Sequence, residues 1–330
     1  MSVLVTGGAG YIGSHMVWQL LDAGERVVVL DNLVTGFDWA VGPEGQLVRG
    51  DIGDETLVRR IIDDHEVEAI IHFAGSVVVP DSVADPLSYY LNNTVRSRSL
   101  IAAAVAGGVQ RFIFSSTAAV YGTPKQTPVT EDVTLTPESP YGRSKLMTEM
   151  MLADTAAAHP FRYVALRYFN VAGADPKGRT GQSTRGATHL IKVACETALG
   201  KRASMNIYGS DYPTPDGTCV RDYIHVTDLV AAHSAALMHL RDGGKSMVAN
   251  CGYGRGYSVS EVVAAVKKVS KRDFPVTMTG RRPGDPASIV ANPALIMSEF
   301  GWKPQYDNLE GIVDSALRWE DALSRRNQRD

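Results

Sequence analysis

Through the first half of the chain, short apolar runs alternate with helix-length amphipathic stretches. Residues 3–5, 26–30, 46–49, 69–73, 111–114 and 163–167 are rich in Val, Ile, Phe and Leu and bounded by Gly, Asp or Ser. Such runs read as strands buried on both faces. Between them the pattern predicts helices at 12–23, 55–65, 86–106 and 141–159. Regular strand–helix alternation implies a parallel sheet with right-handed crossovers, so the expected class is α/β, a doubly wound Rossmann sheet. Beyond residue 170, Gly, Pro, Thr and Asp cluster at 173–186 and 209–217, where long functional loops are expected. A helix at 228–241 and a strand at 246–250 then read as one more unit returning to the first sheet. The boundaries expected are 1–172, with 223–250 returning to it, and a smaller mixed α/β domain over 173–330.

A length of 330 residues suits two unequal domains. The net charge of −3 supplies no electrostatic reason to bind nucleic acid or an anionic membrane, so any anion site must be local, built from a few arginines. Cys195, Cys219 and Cys251 are odd in number and lack C-x-x-C spacing, which reads as free thiols in a reducing compartment. The first strand begins at once, leaving no room for a signal sequence, and no run of 18 apolar residues occurs. The expected location is the cytoplasm. The eight histidines show no i, i+4 pair, so no metal is expected.

The first strand runs into Thr6-Gly7-Gly8-Ala9-Gly10-Tyr11-Ile12-Gly13, which opens the first helix. Gly7, Gly10 and Gly13 permit a tight turn, close backbone approach and close helix–strand packing, and the helix N-terminus offers N–H groups to a pyrophosphate. Asp31 ends the second strand, 18 residues beyond Gly13, where a carboxylate accepts from an adenosine ribose. No Lys or Arg lies between Asp31 and Val48 to offset that charge against a 2′-phosphate, which favours NAD over NADP. Asp51, Ile52, Phe73, Ala74 and Gly75 follow the next strands, where adenine and ribose should pass.

Tyr-x-x-x-Lys occurs twice. Tyr121…Lys125 spans Gly122 and Pro124, which break a helix. Tyr141…Lys145 follows Ser139-Pro140, an N-cap with Pro at the first helical position, and opens a long helix on which i and i+4 share a face. Alcohol oxidation needs a phenol that ionises near neutral pH, against an ordinary value of about 10. A neighbouring ammonium and a positive nicotinamide ring both favour phenolate. Thr117, just past the fifth strand, offers a hydroxyl to the reacting oxygen, with Ser115 and Ser116 as rivals.

Together these features resemble the extended short-chain dehydrogenase/reductase family, and within it the sugar-nucleotide 4-epimerases. The resemblance runs almost end to end: LVTGGAGYIGSH (4–15), LDNL (30–33), GDI (50–52), IHFAG (71–75), FSSTAAVYG (114–122), SPYGRSKLM (139–147), RYFNVAGA (167–174), DYPTPDGTCVRDYIHV (211–226) and RRPGD (281–285). It implies Tyr141 as catalytic base, Lys145 as the NAD-orienting lysine, and Thr117 where a Ser often stands. It adds Asn32, Asn92, Ser115 and Tyr168 to the cofactor contacts. Asn170, Arg221, Arg282 and Asp285 are implied contacts to the uridine diphosphate, and guanidinium groups with a carboxylate suit a pyrophosphate and a ribose.

The implied activity is interconversion of UDP-galactose and UDP-glucose through transient oxidation at C4. Four positions depart from the family pattern. Val77 replaces a Lys that contacts NAD in some members, and Thr188-His189 replace an Asn pair, so His189 takes a nucleotide contact. Ile289 stands where a bulky Tyr excludes N-acetylated sugars, so some turnover of UDP-N-acetylhexosamines is expected. Three alternatives stay open. One is an epimerase of UDP-glucuronate or a UDP-pentose. Another is a sugar-nucleotide 4,6-dehydratase, against which Ala118-Ala119 offer no acid after Thr117. The last is a nucleotide-binding protein without chemistry. The resemblance also implies a homodimer pairing helices 86–106 and 141–159, the second carrying Met147, Met150 and Met151.

Overall fold

The computed structural model describes residues 1–282 and 284–326. Its strands, in chain order, are β1 (Ser2–Thr6), β2 (Val27–Asp31), β3 (Gln46–Arg49), β4 (Val67–His72), β5 (Arg111–Thr117), β6 (Arg162–Tyr168), β7 (Asn170–Ala172), β8 (Met205–Tyr208), β9 (Val220–His225), β10 (Met247–Cys251), β11 (Gly256–Ser258), β12 (Val276–Thr279) and β13 (Ser288–Ile289). Seven of them form one sheet in the order β10-β6-β5-β4-β1-β2-β3, every pairing parallel. This is the doubly wound class expected from the alternation.

The helices are α1 (Tyr11–Asp22), α2 (Glu55–His65), α3 (Val79–Ala84), α4 (Pro86–Tyr89), α5 (Arg96–Ala106), α6 (Pro140–Ala158), α7 (Leu190–Ala198), α8 (Val226–Arg241), α9 (Val259–Ser270), α10 (Ala294–Phe300) and α11 (Leu309–Arg326). Successive strand residues face opposite layers. Val3 and Val5 pack with Met16 and Val17 of α1 and Leu237 of α8, whereas Leu4 packs with Ile61 of α2, Leu100 of α5 and Leu152 of α6. A sheet covered on both faces needs such uninterrupted apolar strands, and only the edge strand β3 is substantially exposed.

Two departures from the expected elements matter for the site. The stretch 86–106 is not one α-helix, because α4 and α5 are joined by a π-helical segment at Tyr90–Val95. Its extra residue per turn buries Asn93. Strand β5 also runs three residues past the expected end at 114, pairing with β6 as far as Thr117 with Tyr168. Thr117 therefore sits at the carboxyl edge of the sheet, where ligands of this fold lie.

The remaining strands build a second, smaller arrangement. β7 and β13 pair parallel to β9, β11 pairs antiparallel to it, and β8 pairs with β12. Helices α7, α9 and α11 close their own core around Ile191, Val262, Val266 and Val313. Among the described residues, no helix is long and apolar enough to cross a membrane.

Candidate active site

The glycine loop is fixed by close approaches that only glycine permits. Gly7 has φ +68°, and a Cβ there would lie 2.6 Å from the Ala74 nitrogen; one on Gly13 would lie 2.1 Å from the Gly7 carbonyl oxygen. Helix α1 then starts from Gly10 with no side-chain cap, which leaves its first N–H groups available to an anion. Asp31 is buried, with Oδ2 accepting from Ala9 N at 2.9 Å and Oδ1 from Leu33 N at 2.7 Å. The carboxylate thus braces the loop and keeps a lone pair on each oxygen for a ribose. Asn32 turns its side chain to Val34 N, and Ile52 is buried next to Asp51. Asp51 itself accepts from Gly53 N and pairs with Arg96 at 3.3 Å. The Tyr11 phenol donates to the Gly173 carbonyl at 2.7 Å, so Tyr11 faces a cofactor through its backbone.

Beyond β4, Phe73 packs on the His233 ring and Gly75 comes close to Lys145: a Cβ on Gly75 would lie 3.7 Å from Nζ. Asn93, absent from the expected site, accepts from Ser76 N at 2.8 Å and donates to Ser76 O and the Ser144 hydroxyl. It fastens the loop after β4 onto α6. The expected residue, Asn92, donates to the Ser76 hydroxyl and accepts from Arg96. Nothing in the local sequence separates these neighbours, because the π turn sets which of them faces inward.

The second Tyr-x-x-x-Lys pair lies on α6 as its cap residues predict: Ser139 accepts from Gly142 N at 3.1 Å and Pro140 opens the first turn. Tyr141 and Lys145 are 7% and 3% exposed, so neither is a surface helix residue. Burial pushes the Tyr141 phenol well above its ordinary range, and a hydrogen bond with Thr117 partly offsets this. Lys145 donates to the Ser115 carbonyl at 3.1 Å and lies over the Phe114 ring. Burial lowers its ammonium to about 8 against the opposing pull of Glu149 one turn on. Tyr168, half-buried, sets its phenol beside the Ser115 side chain.

Two of the rivals for these roles, Ser116 and Tyr121, are occupied elsewhere. The Ser116 hydroxyl donates to Glu149 at 2.5 Å, away from Tyr141. Tyr121 is fully buried and donates to Asn250 while accepting from Arg167. Sequence reasoning also missed the pair behind Lys145: Glu149 and Arg167, each 5% exposed, meet at 2.6 Å. Their signal was Glu149 continuing the i, i+4 stripe of Tyr141 and Lys145, opposite an arginine inside an apolar strand.

On the substrate side, Asn170 is exposed at the start of β7 and His189 at the N-cap of α7. Both line a cleft with Tyr11 and Gln182. Arg221, on β9, approaches Asp285 at 3.7 Å. The Arg282 guanidinium lies 3.6 Å from the centre of the Tyr208 ring. Its neighbour Arg281 is committed to Asp211 and the Tyr212 ring. Arg221, Arg282 and Asp285 therefore form a second group, outside the cleft that holds Asn170 and His189. Ile289 is buried with Ala118 and Phe169, against the residue that follows Thr117. Val77 is exposed and offers no polar atom.

The model of the NAD dependent epimerase/dehydratase family matches residues 3–252. The chain is 57% identical over 321 residues to a UDP-glucose 4-epimerase of Azospirillum brasilense, covering 97% of this chain and 92% of that one. It is 45% identical to the UDP-glucose 4-epimerase of Lacticaseibacillus casei, covering 97% of each. A solved UDP-glucose 4-epimerase from Brucella ovis in complex with NAD superposes with a TM-score of 0.93 at 45% identity, over 96% of this chain and 97% of that one. The UDP-Glc/GlcNAc 4-epimerase of Campylobacter jejuni gives a TM-score of 0.85 at 46% identity, over 97% and 99%.

Proposed function

The chain belongs to the NAD dependent epimerase/dehydratase family, and from that premise we infer that it is an NAD-dependent enzyme interconverting UDP-galactose and UDP-glucose at C4. The observation that carries the reading is the buried group of Tyr141, Thr117 and Lys145 at the carboxyl edge of the sheet, next to Gly75. The residues fit the cofactor: free N–H groups open α1, and the Asp31 carboxylate stands where it takes an adenosine ribose. NAD held there would supply a hydride acceptor, and later donor, for the sugar C4, its pyrophosphate on the N-terminus of α1 and its ribose on Asp31.

Tyr141 takes the proton of the C4 hydroxyl and later gives it back. Burial alone keeps this phenol protonated. Its release therefore depends on positive charge beside it, from Lys145 and the oxidised nicotinamide. Thr117 hydrogen-bonds the phenol and orients the reacting oxygen. Arg221 and Arg282 hold the diphosphate, Asp285 a ribose hydroxyl, and Asn170 and His189 further nucleotide contacts, so the sugar can turn about its diphosphate linkage while the nucleotide stays fixed.

Ala118 and Ala119 offer no acid beside Thr117, which disfavours elimination and leaves epimerisation as the outcome. Ile289 is small enough to leave room for an N-acetyl group, and we extend the substrate range to UDP-N-acetylhexosamines on that ground. Residues 1–172 with 223–250 are assigned to NAD and the rest of 173–330 to the UDP-sugar, although β7 and the end of β9 pair within the smaller sheet. Exposed apolar side chains on the helical stretches 86–106 and 141–159, Leu87, Leu91, Val95, Met147 and Met150, support reading the protein as a homodimer. Met151 does not belong with them, since it packs on the chain's own core. The three cysteines are buried and free, in keeping with a cytoplasmic enzyme.

The purified protein, mixed with UDP-galactose and no added cofactor, should yield UDP-glucose. Tyr141→Phe should lower kcat by about 10²–10⁴-fold without loss of bound NAD. Absence of conversion even with NAD supplied refutes the reading.

A further inference from the structure

Asp222 is fully buried on β9, next to Arg221, and its hydrogen-bond partners are backbone N–H groups from two other segments. Oδ1 accepts from Tyr253 N at 3.0 Å; Oδ2 accepts from Gly254 N at 2.9 Å and Ala291 N at 3.2 Å. The approach is close enough that a Cβ on Gly252 would lie 2.7 Å from Oδ2. One carboxylate thus joins β9, the turn after β10, and the chain just past β13.

The third segment needs such a tie. β13 is two residues long and pairs with β9 through Ser288 with Val220 and Ile289 with Arg221, with Val220 N donating to the Ala287 carbonyl just before it at 2.8 Å. A ladder that short closes few hydrogen bonds. On its other side it is met by the loop before α6, where the Thr127 hydroxyl accepts from Val290 N at 3.1 Å and Val129 N donates to Val290 O at 2.8 Å. The segment so gripped runs from Asp285, which faces Arg221, to Ile289, which stands against Ala118.

We propose that Asp222 is a positioning residue for substrate: its carboxylate clasps residues 288–291 to β9, and so sets both the Arg221–Asp285 group and the Ile289 wall. This rests on the assignment of Arg221, Asp285 and Ile289 to the UDP-sugar. Asparagine at 222 keeps the volume but has one acceptor oxygen for three donors and turns an N–H₂ toward them. The clasp touches no part of the glycine loop, so cofactor binding is independent of it.

The test compares wild type and Asp222→Asn as purified holoenzymes. KM for UDP-galactose and the calorimetric Kd for UDP should both rise about tenfold, with kcat within about threefold and bound NAD unchanged. KM and Kd within twofold of wild type overturn the proposal. So does a fall in kcat and bound NAD with KM unmoved, which marks a purely structural role. Should Asp222→Asn fail to fold, Thr127→Ala loosens the same segment from its exposed side. It should raise KM about threefold, and an unchanged KM there counts against the clasp. UDP binding requires no turnover: a wild-type protein that binds UDP but does not convert UDP-galactose refutes the functional reading alone.

Discussion

Turnover and stability should move in opposite directions above pH 8, and Lys145 is the reason. Burial lowers this lysine from the ordinary 10.5 to about 8, which corresponds to about 3 kcal/mol of strain in keeping it charged. Its ammonium must be charged to favour the Tyr141 phenolate, so kcat should fall about tenfold per pH unit above the midpoint. A bound nicotinamide cation would bring that midpoint below 8, not above it. Stability runs the other way. Between pH 8 and 10.5 the native chain holds fewer protons at this site than the unfolded chain, so ΔG of unfolding rises with pH, by up to about 3 kcal/mol. The assay pairs kcat from pH 6 to 10.5 with urea unfolding at pH 8 and 10, on wild type and Lys145→Met. The variant should be slow, lack the alkaline limb, and show none of the gain in stability. A wild-type profile flat to pH 10, or a limb that survives in Lys145→Met, refutes the assignment.

Glu149→Gln leaves the Arg167 guanidinium buried without its carboxylate and should cost about 3–5 kcal/mol in denaturant unfolding, while Glu149→Leu combined with Arg167→Met should recover most of that loss. Ile289→Tyr should lower the ratio of UDP-N-acetylglucosamine to UDP-galactose turnover at least about tenfold, since the ring fills space against Ala118; an unchanged ratio places the sugar elsewhere. Leu91→Asp puts a charge among these exposed apolar side chains and should convert a dimer to monomers in light scattering, with kcat little changed.

The parts of the site legible in the sequence are those set by spacing within one turn or one loop. Gly10 and Gly13 pack on the Gly7 carbonyl a few residues back, and Tyr141 with Lys145 are set by one helical turn, whereas Gly7 is legible by its spacing although its close contact is with Ala74 on the loop after β4. The doubly wound sheet was legible for a related reason: strands buried on both faces read as short uninterrupted apolar runs, whichever helices cover them. The inward-facing asparagine was not, since Asn92 and Asn93 differ in nothing but their place in a π turn that no propensity marks. Nor was Asp222, whose three donors come from residues 31 to 69 positions downstream.

The buried ions behind the catalytic pair were hidden for the same reason, yet they bear on the chemistry most. Lys145 and Glu149 hang from consecutive residues of β5, Lys145 on the Ser115 carbonyl and Glu149 on the Ser116 hydroxyl. Arg167, on the next strand, takes both oxygens of Glu149. Burial pulls Lys145 toward losing its proton, and Glu149 one turn on opposes that pull. Three charges in series, positive, negative and positive, leave one positive charge over in the buried group one helical turn from Tyr141. That arrangement suits a residue that must hold a phenolate in one half-reaction and give up its proton in the other.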